Sequence, residues 1–240
     1  MELRRLIGYG NMISCLSTND GVIKDLYSPT WYNTDAEQVS IADNDRFGKV
    51  IDINNCEKGI YVSASDLKLF GIQEFTIGFW QNVLELDGRA IGFSDDNFLT
   101  MRINGSTSKG AGSFAVGTIS HGGRYPITYQ QTPIKLNEWA HYCMTKYSKG
   151  YRFYINGKEI PEYHYNYYNS NNNTLVTEKL NYMYLSSSTV KNTSCTVFHT
   201  QTYNFFMSSK GIDVTSFEIT KPVIGLMYKE YDENGNIYSI

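Results

Sequence analysis

Nowhere in the 240-residue chain is there a run approaching the roughly 18 consecutive apolar residues that a bilayer-crossing helix requires. Membrane insertion is therefore not expected. The N-terminus, MELRRLIGYGNMISC, lacks the long apolar core that follows the basic residues of a secretory signal, so export by that route is not expected either. Like charges never gather into a block and the net charge is −3. Nucleic acid is thereby excluded as a partner, because its binding needs a basic stripe to neutralise phosphates. The cysteines, Cys15, Cys56, Cys143 and Cys195, form no C-x-x-C pair, and zinc or dithiol redox chemistry fails on spacing. Synthesis in a reducing cytoplasm favours free thiols, with a Cys15–Cys56 disulfide left open by sequence; Cys143, in the middle of an alternating run, reads as a small core residue. No linker, low-complexity block or internal repeat divides the chain.

What is abundant points to strands. The chain has 20 Gly, 20 Tyr and 12 Phe, with charged residues at only 19%. Val, Ile, Thr and Tyr cluster in short runs punctuated by Gly, Asn and Ser, as many short strands require. From Trp139 onward, Trp139, His141, Cys143 and Thr145 alternate with Ala140, Tyr142, Met144 and Lys146, the period of two that sends successive side chains to opposite faces of a strand. Turn chemistry at Tyr147 to Gly150, a second alternating run at Tyr151 to Ile155, and Asn156-Gly157, whose residues both tolerate positive φ, complete a three-strand meander ending at Ile160. All-β chains of this size commonly form one sandwich, with two sheets about 10 Å apart.

Two motifs carry a family resemblance. FTIGFW (Phe75 to Trp80), followed by WAHYCMTKYSKGYRFYINGKEI (Trp139 to Ile160), resembles the laminin-G-like and pentraxin-like domains of the concanavalin A-like lectin/glucanase superfamily. RFGKVIDINNCEKGIYVSASD (Arg46 to Asp66) resembles the family's opening hairpin, a strand, a Gly-containing turn and a second strand. CLSTNDGVIKDLYSPTWYN (Cys15 to Asn33) is similar to its first strand and the Asp-rich loop after it, and YNFFMSSKGIDVTSFEI (Tyr203 to Ile219) to its last strand and short closing helix. The resemblance spans residues 10 to 220. It implies an all-β, two-sheet antiparallel jelly roll over residues 1–220, leaving 221–240 as a C-terminal β-hairpin with its turn near Asn234-Gly235, an arm for assembly.

Candidate sites follow from residue chemistry. Tyr163, Tyr165, Tyr167 and Tyr168, with Asn169 and Asn171, offer aromatic faces for the C–H side of a pyranose beside amide donors and acceptors; alternate tyrosines covering the sandwich are the competing reading. Asp95, Asp96 and Asn97 place hard oxygen ligands in a turn between strand-like runs, which suits calcium, and the resemblance implies calcium at a loop rim; Asp43-Asn44-Asp45 is a rival cluster. Such turns also arise because Asp and Asn bond their own backbone. In the C-terminal hairpin, Tyr228, Tyr231, Ile237, Tyr238 and Ile240 are the candidate assembly residues.

Catalysis is not expected. The glucanase branch implied by the resemblance uses E-x-D-x-x-E to bring two carboxylates about 5 Å apart. Here the nearest string, Glu230 to Gly235, has Gly in place of the second Glu. His141 occupies the family's W-x-H position and reads as a packed strand residue. Recognition or assembly remains: a non-catalytic, oligomeric adhesive component of a bacteriophage virion or tail fibre, binding cell-surface glycan or other virion proteins, with a stand-alone bacterial carbohydrate-binding module as the alternative. The corresponding location is the virion, or else the cytoplasm or the exterior by a non-classical route.

Overall fold

A computed structural model describes residues 12–18, 20–27, 29–33, 38–54, 60–63, 65–67, 74–87, 89–93, 99–104, 113–120, 123–133, 135–147, 150–159, 182–185, 197–208, 230–231 and 237–238. The first strands in chain order are β1 (Met12–Ser17), β2 (Lys24–Asp25), β3 (Trp31–Asn33), β4 (Val39–Asn44), β5 (Gly48–Asn54) and β6 (Ile60–Ser63). Next come β7 (Phe75–Asp87), β8 (Arg89–Phe93), β9 (Leu99–Asn104), β10 (Ser113–Ser120), β11 (Gly123–Pro133) and β12 (Trp139–Tyr147). Last are β13 (Gly150–Ile155), β14 (Lys158–Glu159), β15 (Tyr182–Leu185), β16 (Val197–Ser208), β17 (Glu230–Tyr231) and β18 (Ile237–Tyr238). Every pairing among them is antiparallel, as the sandwich reading requires.

The meander expected from Trp139 to Ile160 is present as β12, β13 and β14 in succession. Asn156 and Gly157 sit at φ 52° and 74°, the pair of positive values that a tight two-residue hairpin turn needs. Asn156 also ties the turn down: its N–H donates to the His141 carbonyl at 2.8 Å, and its Oδ1 accepts from the His141 N–H at 2.9 Å.

FTIGFW opens the 13-residue β7, which is the spine of a nine-stranded sheet. It pairs with β12 along one edge and β16 along the other. Two shorter strands then share the far edge of β16: β5 beside His199 to Thr202, and β1 beside Phe206 to Ser208. Alternation along β7 turns Phe75, Ile77, Phe79 and Val83 to one face, and all four are buried to within 1% exposure. This is the core face. Phe79 meets Phe205 at 6.5 Å, and Phe205 in turn meets Trp31 of β3 edge-on at 5.3 Å, linking the main sheet to the β15–β6–β3 sheet. Burial of each such ring contributes roughly 1.5–3 kcal/mol. Trp31 is held from behind by Asp25, whose carboxylate accepts from Trp31 Nε1 (2.9 Å), the Tyr27 N–H (2.8 Å), the Cys15 N–H (3.3 Å) and the Ser14 hydroxyl.

On the opposite face of β7, Gly78 lies beneath the Phe206 ring. A β-carbon there would stand 2.5 Å from Phe206 Cε1 and 3.3 Å from His141 Cε1, so no side chain fits. Cys15 and Cys143 are both buried, and Cys143 is the small core residue its alternation implies. Burial in apolar surroundings pushes the Cys143 thiol well above its ordinary range, which keeps it protonated and unreactive.

The opening hairpin is corrected. Residues 48–54 and 60–63 are strands, but β5 and β6 lie in different sheets, because both edges of β5 are taken by β4 and β16. The hairpin at this point is β4–β5 instead, closed by the Asn44–Gly48 turn. Of the remaining expectations, β17 and β18 form the C-terminal hairpin, with Tyr231 opposite Ile237 and Glu230 opposite Tyr238. The closing helix and the Asn234-Gly235 turn lie outside the described residues. No described helix is long and apolar enough to cross a membrane.

Candidate functional site: an aromatic and polar face of the main sheet

The site begins at the β4–β5 turn. Asn44 Oδ1 accepts from the backbone N–H groups of Arg46 (3.0 Å) and Phe47 (3.1 Å), the local side-chain-to-backbone arrangement that Asn favours in turns. Asp43, almost fully exposed, pairs with Lys49 at 2.6 Å. The Asp43-Asn44-Asp45 cluster is thus organised as a turn, with Asn44 Oδ1 committed to backbone donors and Asp43 to a lysine. Among the described residues no group of three or more His, Cys, Asp and Glu is placed to hold a metal.

The fixed turn presents Arg46 and Phe47 to the face of the sheet turned away from β3. The Phe47 ring stacks on Tyr203 of β16 (centroids 4.6 Å, interplanar 23°) and meets Trp139 of β12 edge-on at 4.8 Å and Trp80 of β7 at 5.4 Å. The Arg46 guanidinium lies 4.8 Å from the Trp80 centroid and 4.9 Å from that of Phe47, within cation–π range. Trp80 is buried at 6% exposure and is braced by His141 at 5.3 Å, whereas Phe47, Trp139 and Tyr203 are only half-buried and Arg46 is exposed. Four distant strands and turns therefore converge on one partly open aromatic cluster with a cation on it.

His141 supports this cluster without chemistry of its own. Burial lowers its pKa from the usual 6.5 to about 3, leaving a neutral ring packed on Trp80, as the W-x-H reading anticipates.

Beside the rings the same face turns polar. His199, Gln201 and Tyr203 alternate along β16, and Asp52 lies opposite Gln201 on β5. Both Asp52 carboxylate oxygens are 3.0 Å from His199 Nε2, and Oδ1 also accepts from Gln201 Nε2 at 3.0 Å. Asn82 of β7 stands in register with Gln201 on one side and Trp139 on the other, so it joins the polar half to the aromatic half. It is 7% exposed, and among the described residues its Oδ1 has no hydrogen-bond partner. A buried acceptor in that condition is ordinarily satisfied by an ordered water or a ligand hydroxyl.

Trp80, Trp139 and His141 fall in the motifs that carry the family resemblance, and Arg46, Phe47 and Tyr203 in its other matching stretches, but none of these residues is singled out as a ligand contact by sequence pattern. The usable signals are faint: an Asn-x-Arg-Phe-Gly turn between two alternating runs, and an alternating His-x-Gln-x-Tyr. Tyr163, Tyr165, Tyr167, Tyr168, Asn169 and Asn171 lie outside the described residues, as do Asp95, Asp96 and Asn97, although the flanking strands β8 and β9 do pair as a hairpin. Of the assembly candidates, Tyr231, Ile237 and Tyr238 lie on β17 and β18, and Tyr228 and Ile240 lie outside.

Residues 57–180, more than half of the chain, match the laminin-G-type family model of the concanavalin A-like lectin/glucanases superfamily. The chain belongs to this superfamily. Among solved structures, this lectin-like sandwich is similar to the binding domain of botulinum neurotoxin serotype D, with TM-score 0.61 and 12% identity, covering 85% of this chain and 48% of that one. A second is a structure of botulinum neurotoxin type C, whose cell entry is described as dependent upon interaction with two ganglioside molecules (TM-score 0.60, 13% identity, 85% and 49% covered). A third is the neurotoxin DC binding domain in complex with rat synaptotagmin II (TM-score 0.59, 12% identity, 85% and 49% covered). At such identities the likeness concerns the fold, and the chain spans about half the length of these structures. No curated protein sequence matches the chain.

Proposed function

We propose that this chain is a non-catalytic, adhesive carbohydrate-binding domain, and that the face holding Phe47, Trp139 and Tyr203 is where the saccharide sits. The observation that carries this reading is the half-exposed aromatic cluster set directly against a row of amide, carboxylate and imidazole groups. Ring faces bury the C–H side of a pyranose, while Gln201 and Asp52 supply the donors and acceptors its hydroxyls need. Structural neighbours described with gangliosides support glycan as the ligand class, and the complex with synaptotagmin supports protein as a further kind of partner. The absence of an E-x-D-x-x-E string supports binding without hydrolysis.

Single shallow sites of this kind bind weakly, and oligomeric presentation raises avidity. We extend the proposal to a homo-oligomer assembled through the β17–β18 hairpin, in a virion or tail appendage or as a stand-alone module. Residues 163–171 are proposed as a second contact segment and Asp95, Asp96 and Asn97 as a calcium-assisted loop.

The test is a glycan array probed with and without chelator, using the wild type, Trp139→Ala and Tyr203→Ala, with Tyr165→Ala and Tyr167→Ala as comparators. The expected result is binding that falls roughly tenfold in the Trp139 and Tyr203 variants, about 1.4 kcal/mol, with melting curves that stay cooperative. A wild type that captures no glycan overturns the reading.

A further inference from the structure

One group on the proposed face carries a full charge that the described residues leave unanswered. Arg46 is exposed at the tip of the β4–β5 turn, and among the described residues its guanidinium makes no ion pair. Of the neighbouring carboxylates, Asp43 pairs with Lys49 and Asp52 with His199 and Gln201, and exposed Asp45, next in the chain, forms no ion pair with the guanidinium. A guanidinium stays protonated at every accessible pH and presents donors in a planar fork that matches a carboxylate or sulfate. Its position is also prepared in advance: Asn44 fixes its backbone N–H, and the rings of Trp80 and Phe47 hold its head group. A side chain already restrained forfeits little rotamer freedom when it grips a ligand. A neutral sugar would leave this cation without a counter-charge beside a partly desolvated aromatic surface.

We propose that the saccharide recognised on this face is acidic, its carboxylate or sulfate held by Arg46 while its ring lies against Trp139 and Tyr203. The inference deepens the carbohydrate-binding reading and depends on it.

The experiment is an array of matched pairs, each acidic oligosaccharide (sialylated, uronic-acid-bearing or sulfated) printed beside its neutral parent, followed by titration of the best pair at rising ionic strength. The wild type is expected to prefer the acidic member at least tenfold, and to lose most of that preference between about 0.05 and 0.5 M salt as the charge is screened. Arg46→Gln is expected to abolish the preference, and Arg46→Lys to retain part of it, because the charge remains while the fork is lost. Equal binding of neutral and acidic members, or an Arg46→Gln protein that folds and keeps the preference, overturns the acidic-ligand proposal and leaves carbohydrate binding standing. Absence of binding to any pair overturns both. The wild-type comparison within pairs decides the matter even where a variant fails to fold.

Discussion

Gly78 shows how one residue can shape a whole face of the main sheet. Its missing side chain lets Phe206 lie across β7 and brings His141 close, and His141 in turn packs edge-on against Trp80 at 5.3 Å. Gly78→Ala forces a methyl to 2.5 Å from a ring that is itself buried. We expect it to cost about 1–3 kcal/mol by overpacking, read as a lower denaturant midpoint, with partial recovery on adding Phe206→Leu. His141 makes a prediction about pH. Its folded pKa is depressed by burial to about 3, against 6.5 when solvated. The unfolded chain therefore takes up a proton that the native state refuses, so the stabilisation tied to the neutral ring is complete above about 6.5 and drains away as pH falls toward 3. Thermal denaturation between those limits should show stability falling with pH, and a shallower slope in His141→Gln. An unchanged slope in that variant would show that other groups govern the acid limb.

At the scale of elements, the period of two and the Asn-Gly turn were enough to read β12, β13 and β14, because register in a hairpin is set by neighbours in sequence. The same local logic anticipated the pairing of β8 with β9 and of β17 with β18. The family resemblance misplaced the partner of β5, for a physical reason: two consecutive strands joined by a Gly-containing segment look alike whether they pair with each other or diverge into separate sheets. Only the competition of β4 and β16 for both edges of β5 decided between them. The Asp43-Asn44-Asp45 segment was legible as a turn or as an oxygen cluster, and the hydrogen bonds of Asn44 to the following backbone make it a turn. That turn delivers Arg46 and Phe47 to the site, a consequence invisible in a list of oxygen-bearing residues.

At the scale of the whole molecule, the β17–β18 pair forms a two-stranded sheet of its own among the described residues. Isolated two-stranded hairpins are marginal in water, and a partner surface is the usual source of their stability. Removal of residues 221–240 is therefore expected to leave the thermal transition of the sandwich in place while reducing the mass seen by light scattering; an unchanged mass would end the assembly-arm proposal. Loss of the oligomer should also weaken capture on a dense glycan surface far more than affinity for a free oligosaccharide, since only the former benefits from multivalency.

The sequence by itself determined the fold class, the meander and the superfamily, because strand alternation, turn chemistry and the Phe75–Trp80 and Trp139–Ile160 motifs are local properties of the chain. Tertiary structure decided where the proposed site lies. Phe47, Trp80, Trp139 and Tyr203 come from separate parts of the chain, and nothing in the spacing of one foretells the others. They meet because β12, β7, β16 and β5 lie side by side in one sheet, where antiparallel register turns alternate residues of each strand to a common face. The aromatic stack, the guanidinium held over it and the buried amide acceptor are properties of that shared face, and they exist only once the sheet has formed.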